Sequence, residues 1–226
     1  MKSQNTIPIQ ERMRVTLCLS FIGGFLETYT YSLHGGVFAN AQTGNLVLLA
    51  LSIMQNNGKT GYYLVSICAF ILGVFISEAL CTKLSHKNKA NWLSVLVLVE
   101  AVILGIIPFL PASSPNIVVN ILVPLVCSLQ FNGFQRTHGL VCNTVLCTAN
   151  LRNASQHLYH ALLNKDFDKV RVSAKYFVMI TIFVIGASIS FITIHFVGKY
   201  SIWICSILLI IVHFILSPLK KRIESK

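Results

Sequence analysis

Acidic residues are the scarcest feature of this sequence: seven Asp and Glu against 18 Lys and Arg in 226 residues. Charged side chains make up only 11% of the chain, where a soluble domain carries roughly 25%, so an ordinary soluble fold is excluded. Cysteine pairing is missing too. Cys18, Cys68, Cys81, Cys127, Cys142, Cys147 and Cys205 form no CxxC motif, and most lie inside apolar runs. An odd, scattered set of this kind reads as small hydrophobes and not as a disulfide or zinc framework. No nucleophile elbow, HExxH or P-loop is found, so neither an enzyme nor a cofactor is expected. His157 and His160 share a helical face without a further ligand, and no metal site is expected there.

What the sequence has instead is apolar length. It is 54% hydrophobic, with a mean hydropathy of +0.70. A membrane span needs about 20 mostly apolar residues. Six runs qualify: about 15–33, 61–82, 92–110, 116–135, 175–197 and 201–218. Pro111 and Pro115 bracket the turn after the third, and Lys83 to Lys89 forms a polar connection after the second. The net charge of +11 would suggest nucleic acid in a soluble protein. Here the basic residues cluster between apolar runs, where membrane topology places them, so the expected partner is the lipid bilayer and not nucleic acid. Arg12 and Arg14 before an apolar run, with Ala39-Asn40-Ala41 beyond it, imitate a cleavable signal. The intervening stretch, which includes Glu27, is too long for one, so the first run is read as a retained span.

Two stretches do not fit the simple pattern. Residues 37–54 hold the polar patch Asn40-Ala41-Gln42-Thr43-Gly44-Asn45, and residues 139–163 are too polar to face lipid. If both crossed fully there would be eight spans; if both were re-entrant there would be six. With six spans and the N-terminus inside, 16 basic residues fall on the cytoplasmic side and only two, Lys59 and Lys199, outside. With eight, the split is 12 against five, and Arg152 is left in the membrane. The positive-inside rule therefore favours six, with both termini cytoplasmic.

The two polar patches resemble each other. Thr43-Gly44-Asn45-Leu46 matches Thr148-Ala149-Asn150-Leu151 at an offset of 105, and the same offset sets Glu27 on Asn132. Residues 69–77 resemble 182–190, and the only two tryptophans, Trp92 and Trp203, each open the last span of a half. The expected class is an all-α polytopic membrane protein, one integral domain over 1–226. Its repeat halves run about 12–110 and 116–218, each a span, a polar half-helix and two further spans. Three crossings per half is odd, so the second half enters from the opposite face: an inverted repeat, an arrangement found in many transporters.

Irregular backbone at membrane depth survives only where protein buries it or where it lines a watery cavity. Asn40, Thr43 and Asn45 are suited to capping a helix start, and its positive end would attract an anion or a neighbouring carboxylate. Glu27, ~18 Å into the first span, is the natural carboxylate. A mid-span charge costs about 2.5–3.5 kcal/mol even on a lenient scale and wants a reason. Candidate solute-binding residues are Glu27, Thr43, Gly44, Asn45, Asn132, Thr148 and Asn150. Glu78 is close enough to its helix end to reach Lys83 or headgroups, while Glu100 sits mid-helix with no evident role. His34 and His138 fall in the turns before the patches, where protonation can gate.

Gly23-Gly24-Phe25-Leu26-Glu27 followed by Gly36-Val37-Phe38-Ala39-Asn40-Ala41-Gln42-Thr43-Gly44-Asn45-Leu46 resembles the signature of the YoaK-like bacterial membrane proteins. Leu129-Gln130-Phe131-Asn132 and Thr148-Ala149-Asn150-Leu151-Arg152 are similar to that family's second motif. The resemblance implies a bacterial inner-membrane protein of about six spans, from a family best known as a domain of unknown function. It also marks departures: Glu27 where the family usually has Asp, Ala149 where Gly is common, and Phe131 interrupting a Gln-Asn pair.

The expected function is a small transporter or channel-like permease for a small solute or ion, with a membrane scaffold or regulatory protein as the alternative. A second copy of the chain is left open as a partner. In the six-span topology, cysteines placed at Gly58 and at Asn88 react with an impermeant thiol reagent from opposite faces of the membrane; labelling from one face contradicts it.

Overall fold

The computed structural model describes residues 7–84, 89–111 and 117–217. Most of the expected Lys83–Lys89 connection, Pro115, and the terminal residues Lys2, Lys220, Lys221, Arg222 and Lys226 lie outside these. The regular structure of the described residues is helical except for one small hairpin. Its helices are α1 (Met13–Leu33), α2 (Gln42–Gln55), α3 (Thr60–Leu84), α4 (Lys89–Ile106), α5 (Ile117–Gly133), α6 (Cys147–Asn164), α7 (Phe167–Val197) and α8 (Trp203–Leu216). Strands β1 (Arg136–Thr137) and β2 (Leu140–Val141) pair antiparallel between α5 and α6.

Among the described residues, three segments are long and apolar enough to cross a membrane: Thr60–Lys83, Trp92–Phe109 and Phe167–Leu216, with mean hydropathies of 2.3, 2.4 and 2.5. The last is 50 residues long, more than twice what one crossing needs, and contains both α7 and α8. Helix α5 is apolar but shorter. Helix α1 falls outside the group by composition, and its position explains why. Eleven of its 21 residues and nine of the 17 in α5 are buried, so these two form the centre. A central helix can carry Thr, Ser, Gly and Glu because protein surrounds it. The outer helices show the reverse pattern: Phe75 on α3 is 71% exposed and Phe196 on α7 is 78% exposed, apolar surface of the kind a membrane protein turns to lipid.

The central helices pack crosswise. Helix α1 packs mainly on α7, α5 on α3, and α4 on α8. Glycine sets the first two contacts. A Cβ on Gly24 would strike the Phe183 carbonyl, and one on Gly186 would strike the Phe21 carbonyl. At Gly73 it would meet the Ser128 hydroxyl, with the Leu125 carbonyl 2.7 Å away. Backbones this close are the usual contact of small residues in membrane bundles. The directions follow from the contacts. Helices α1 and α7 run parallel, Gly24 lying by Phe183 and the Tyr29 hydroxyl donating to the Lys199 carbonyl further along (3.0 Å). Helices α3 and α5 also run parallel, with Gly73 at Leu125 and Glu78 at Asn132. Helices α4 and α8 run antiparallel: Ser94 bonds His213 at one end, and Trp203 Nε1 donates to the Gly105 carbonyl at the other (3.1 Å).

The hairpin closes the start of α1. The Thr137 hydroxyl donates to the Glu11 carbonyl at 3.0 Å, and His138 Nε2 accepts from the Met13 amide at 3.4 Å. His138, read from sequence as a gate, thus caps a helix start. At the other open N-terminus, Asp166 caps α7 by accepting from the Asp168 and Lys169 amides.

Replacing Gly186 with Val should lower stability in detergent by about 1–3 kcal/mol or prevent folding, because the Phe21 carbonyl cannot move aside cheaply. Gly61→Ala, where a Cβ meets nothing within 4 Å, should be neutral or stabilise by up to about 1 kcal/mol. Thermal unfolding of the purified variants compares the two.

Candidate functional site

Helix α1 ends at His34, and Gly35 and Gly36, at φ 89° and 78°, reverse the chain. It then returns along α1 without regular structure. The Asn40 Nδ2 donates to the Gly23 carbonyl at 3.1 Å, which brings the turn back to the middle of α1. There the Glu27 carboxylate accepts from the Asn40 amide at 2.7 Å and the Ala41 amide at 3.0 Å, one oxygen for each. These amides open α2, whose start would otherwise leave N–H groups unpaired at membrane depth. One turn on, Asn45 holds the returning strand: its Oδ1 accepts from the Phe38 amide (2.9 Å) and its Nδ2 donates to the Phe38 carbonyl (2.8 Å). Helix α2 then runs back the way the chain came, and Ser52 meets Thr60 across the turn into α3.

The second polar turn is built alike. After the hairpin the chain reaches the same glycine: a Cβ on Gly23 would lie 3.0 Å from the Thr144 carbonyl. Asn150 clasps the residue seven before it, accepting from the Asn143 amide at 3.0 Å and donating to the Asn143 carbonyl. Asn143 stands 105 positions after Phe38, as Asn150 stands after Asn45. The amides of Val145 and Leu146, at the same offset from Asn40 and Ala41, are also held, each donating to Asn143 Oδ1 at 3.2 Å. The same pair of amides is therefore served by a carboxylate from α1 in one turn and by the loop's own Asn143 in the other.

The residues singled out from sequence divide accordingly. Glu27, Gly44, Asn45 and Asn150 belong to the two turns. Asn132, expected as the counterpart of Glu27, is elsewhere: on the last turn of α5 its Nδ2 donates to Glu78 at 3.0 Å. Glu78, expected to reach Lys83 or the headgroups, thus meets Asn132 and forms no ion pair with Lys83. Thr43 and Thr148 are exposed, turned away from the contact that buries Asn45 and Asn150. Neither Thr43 nor Asn45 caps the start of α2, since the cap is Glu27 and Asn45 bonds upstream. Asn143 is the residue that sequence reading passed over, and its signal was the shared spacing, seven residues before an aligned asparagine. Gln130 and Asn120, both buried on α5, tie into the same centre by donating to the Leu19 and His34 carbonyls.

The two turns differ in what covers them. The Phe38 ring lies where a Cβ on Gly44 would fall (2.8 Å), and Tyr31 stacks on that ring at 4.9 Å between centroids. The second turn has Asn143 and Ala149 at those positions, and a pocket of about 200 Å³ opens there. Gln135, Asn143, Asn150 and Asn153 supply its polar groups, with Phe131, Val141, Cys142 and Ala149 completing it. It holds neutral hydrogen-bonding groups and no charge. His157 stacks on Tyr176 (6.0 Å), and among the described residues no three His, Cys, Asp or Glu side chains gather as a metal site requires.

Residues 15–215 match the model of the family described as protein of unknown function, DUF1275. The chain belongs to this family. The YoaK-like proteins that its motifs resemble are members of it. The DUF1275 region takes in both polar turns, the pocket and every glycine contact described above. No curated protein and no solved structure matches the chain.

Within this DUF1275 member, Asn45→Ala and Asn150→Ala should each lower stability by about 1–3 kcal/mol, since each removes both hydrogen bonds that hold a partly buried backbone amide and carbonyl. Thermal unfolding that moves for one variant and not the other would break the equivalence of the two clasps.

Proposed function

We propose that this chain is a small transporter or channel-like permease of the bacterial inner membrane. It would carry a small, hydrogen-bonding solute or ion between two inverted halves. The observation that carries this reading is the meeting of two polar turns at Gly23, halfway along the central helix, with a largely apolar pocket that four amide side chains border leading to one of them.

Several features support the inverted arrangement. Exchanging α1–α4 with α5–α8 leaves the main packing pairs unchanged: α1 on α7 becomes α5 on α3, and α4 on α8 maps onto itself. The antiparallel α4–α8 pair favours six spans over eight. With eight full crossings these helices would be the fourth and eighth and run the same way; with α2 and α6 as half-helices they are the third and sixth and run opposite ways. Charge then puts both termini in the cytoplasm, and the pocket by Asn143 and Asn150 faces inward. The Tyr31–Phe38 stack covers the outer approach. In this inward-open form, Asn153 and the carboxamide groups of Gln135 and Asn143 not engaged within the chain replace the hydration of the solute, while Asn150 keeps its clasp on the Asn143 backbone. Glu27 fixes the first half-helix and stands next in the path. Thr43, Thr148 and Asn132 have no part in the path. The groups assembled serve binding and passage, not catalysis.

A scaffold or regulatory protein is the second reading, favoured by the first turn, where Glu27 and Asn45 spend their hydrogen bonds within the chain. A solute screen by thermal shift separates the two. A transported solute at 100-fold its dissociation constant should stabilise the protein by about 2.7 kcal/mol. Ala149→Phe, which fills the pocket, should abolish that shift while leaving the apo protein folded. A scaffold shows no solute-dependent shift, or one that Ala149→Phe leaves intact.

A further inference from the structure

Away from both turns, one acidic side chain remains unexplained. Glu100 lies two-thirds of the way along α4 and is 0% exposed, with neither carboxylate oxygen hydrogen-bonded among the described residues. Its α4 neighbours Val97, Ala101 and Leu104 belong to the main apolar core, as do Cys127 of α5 and Cys205 of α8. The Cys127 thiol is within electrostatic reach of Glu100, of Cys205 and of Glu27, and stands beside the Asn40 side chain. Asn40 Oδ1 is itself buried without a hydrogen bond. A broken line of polar groups therefore joins Glu100 to the first turn: Glu100, Cys127, Asn40, Glu27.

Among titratable groups, Cys127 of α5 is the one coupled directly to Glu100; Cys205 of α8 and Glu27 of α1 are reached through Cys127, Tyr29 of α1 lies by Cys205, and Cys81 of α3 borders the same apolar core. His213 of α8 is engaged with Ser94 towards the other end of α4. No Lys, Arg or His among the described residues forms an ion pair with Glu100, so no counter-charge balances an anion there. A charge without partners in such a place neutralises instead. This packing accommodates Glu100 only as the uncharged acid.

We propose that Glu100 is a proton-binding site between α4, α5 and α8, occupied while these helices pack closed and emptied only when they part. The proton leaves to water that enters as the contact opens, and the carboxylate left behind holds the contact open until a proton returns. The site is distinct from the Gly23 junction, and it stands whether or not a solute passes there.

Infrared spectra of the full chain in lipid vesicles test it, with Glu100→Gln and Glu27→Gln alongside. At neutral pH the wild type should show a protonated-carboxyl stretching band that Glu100→Gln lacks and Glu27→Gln retains. As the pH is raised the band should fall, while Cys127 and Cys205, followed by mass spectrometry with a membrane-permeant maleimide, become about tenfold more reactive than in Glu100→Gln. That variant supplies the rise due to thiol ionisation alone. The proposal is overturned if the wild type and Glu100→Gln share the same carboxyl spectrum at neutral pH. It is equally overturned if the band persists in alkali with both thiols reacting as in the variant. Should Glu100→Gln fail to accumulate, Glu100→Asp replaces it: a shifted band supports the site, and an unshifted one overturns it.

Discussion

Backbone that leaves the helix in the middle of a membrane must find its hydrogen bonds inside the protein, because lipid offers none. This chain meets that requirement twice, at one place. Each half sends an extended strand inward, reverses it into a helix, and ties the strand to that helix with an asparagine that both accepts from and donates to the residue seven before it. The amides at each reversal then need acceptors, and they receive them from Glu27 in one turn and Asn143 in the other. Much of the rest follows. Helix α1 must be central because it supplies Glu27 and the Gly23 contact, and a central α1 needs Gly24 facing α7 and Gly186 facing back for the backbones to close around it.

The halves are alike in plan and unlike in chemistry, and the difference bears on the proposed function. A carboxylate contributed by a neighbouring helix ties the first turn to α1. The second turn is capped by its own loop residue and is free of that tie. Aromatic rings cover the first, while the second opens on a mostly apolar pocket bordered by Gln135, Asn143, Asn150 and Asn153.

Much of this was legible in the residues, and the failures are instructive. Apolar length located α3, α4, α7 and α8, because lipid-facing helices must be apolar all round. It placed α1 and α5 within two residues at each end as well, and erred most at α7, which begins at Phe167, eight residues before the expected run, because its first turns carry Asp168, Lys169, Arg171 and Lys175. The offset of 105 aligned Asn45 with Asn150, and the clasps show that this alignment is structural. The same offset misled at Asn132: sequence identity carries no information on where a helix ends, and Asn132 falls on the last turn of α5, facing Glu78. Thr43 and Thr148 were chosen for their polarity, but helical geometry sets them on the outside, two residues from the inward-facing asparagines. Asn143 went unnoticed because its aligned partner is Phe38, and nothing in residue type links a phenylalanine to an asparagine when the bond runs through the backbone.

The convergence of two polar turns from opposite faces is the claim on which the account rests. Cysteine scanning of residues 35–41 and 141–147 in sealed vesicles, with an impermeant reagent applied from each side in turn, measures it directly. Reactivity should fade from Gly36 towards Asn40 for reagent applied outside, and from Val141 towards Val145 for reagent applied inside. Either series reacting from the wrong face, or continuing undiminished past Gly23, would mean that a polar segment crosses the membrane entirely, and the account would fail.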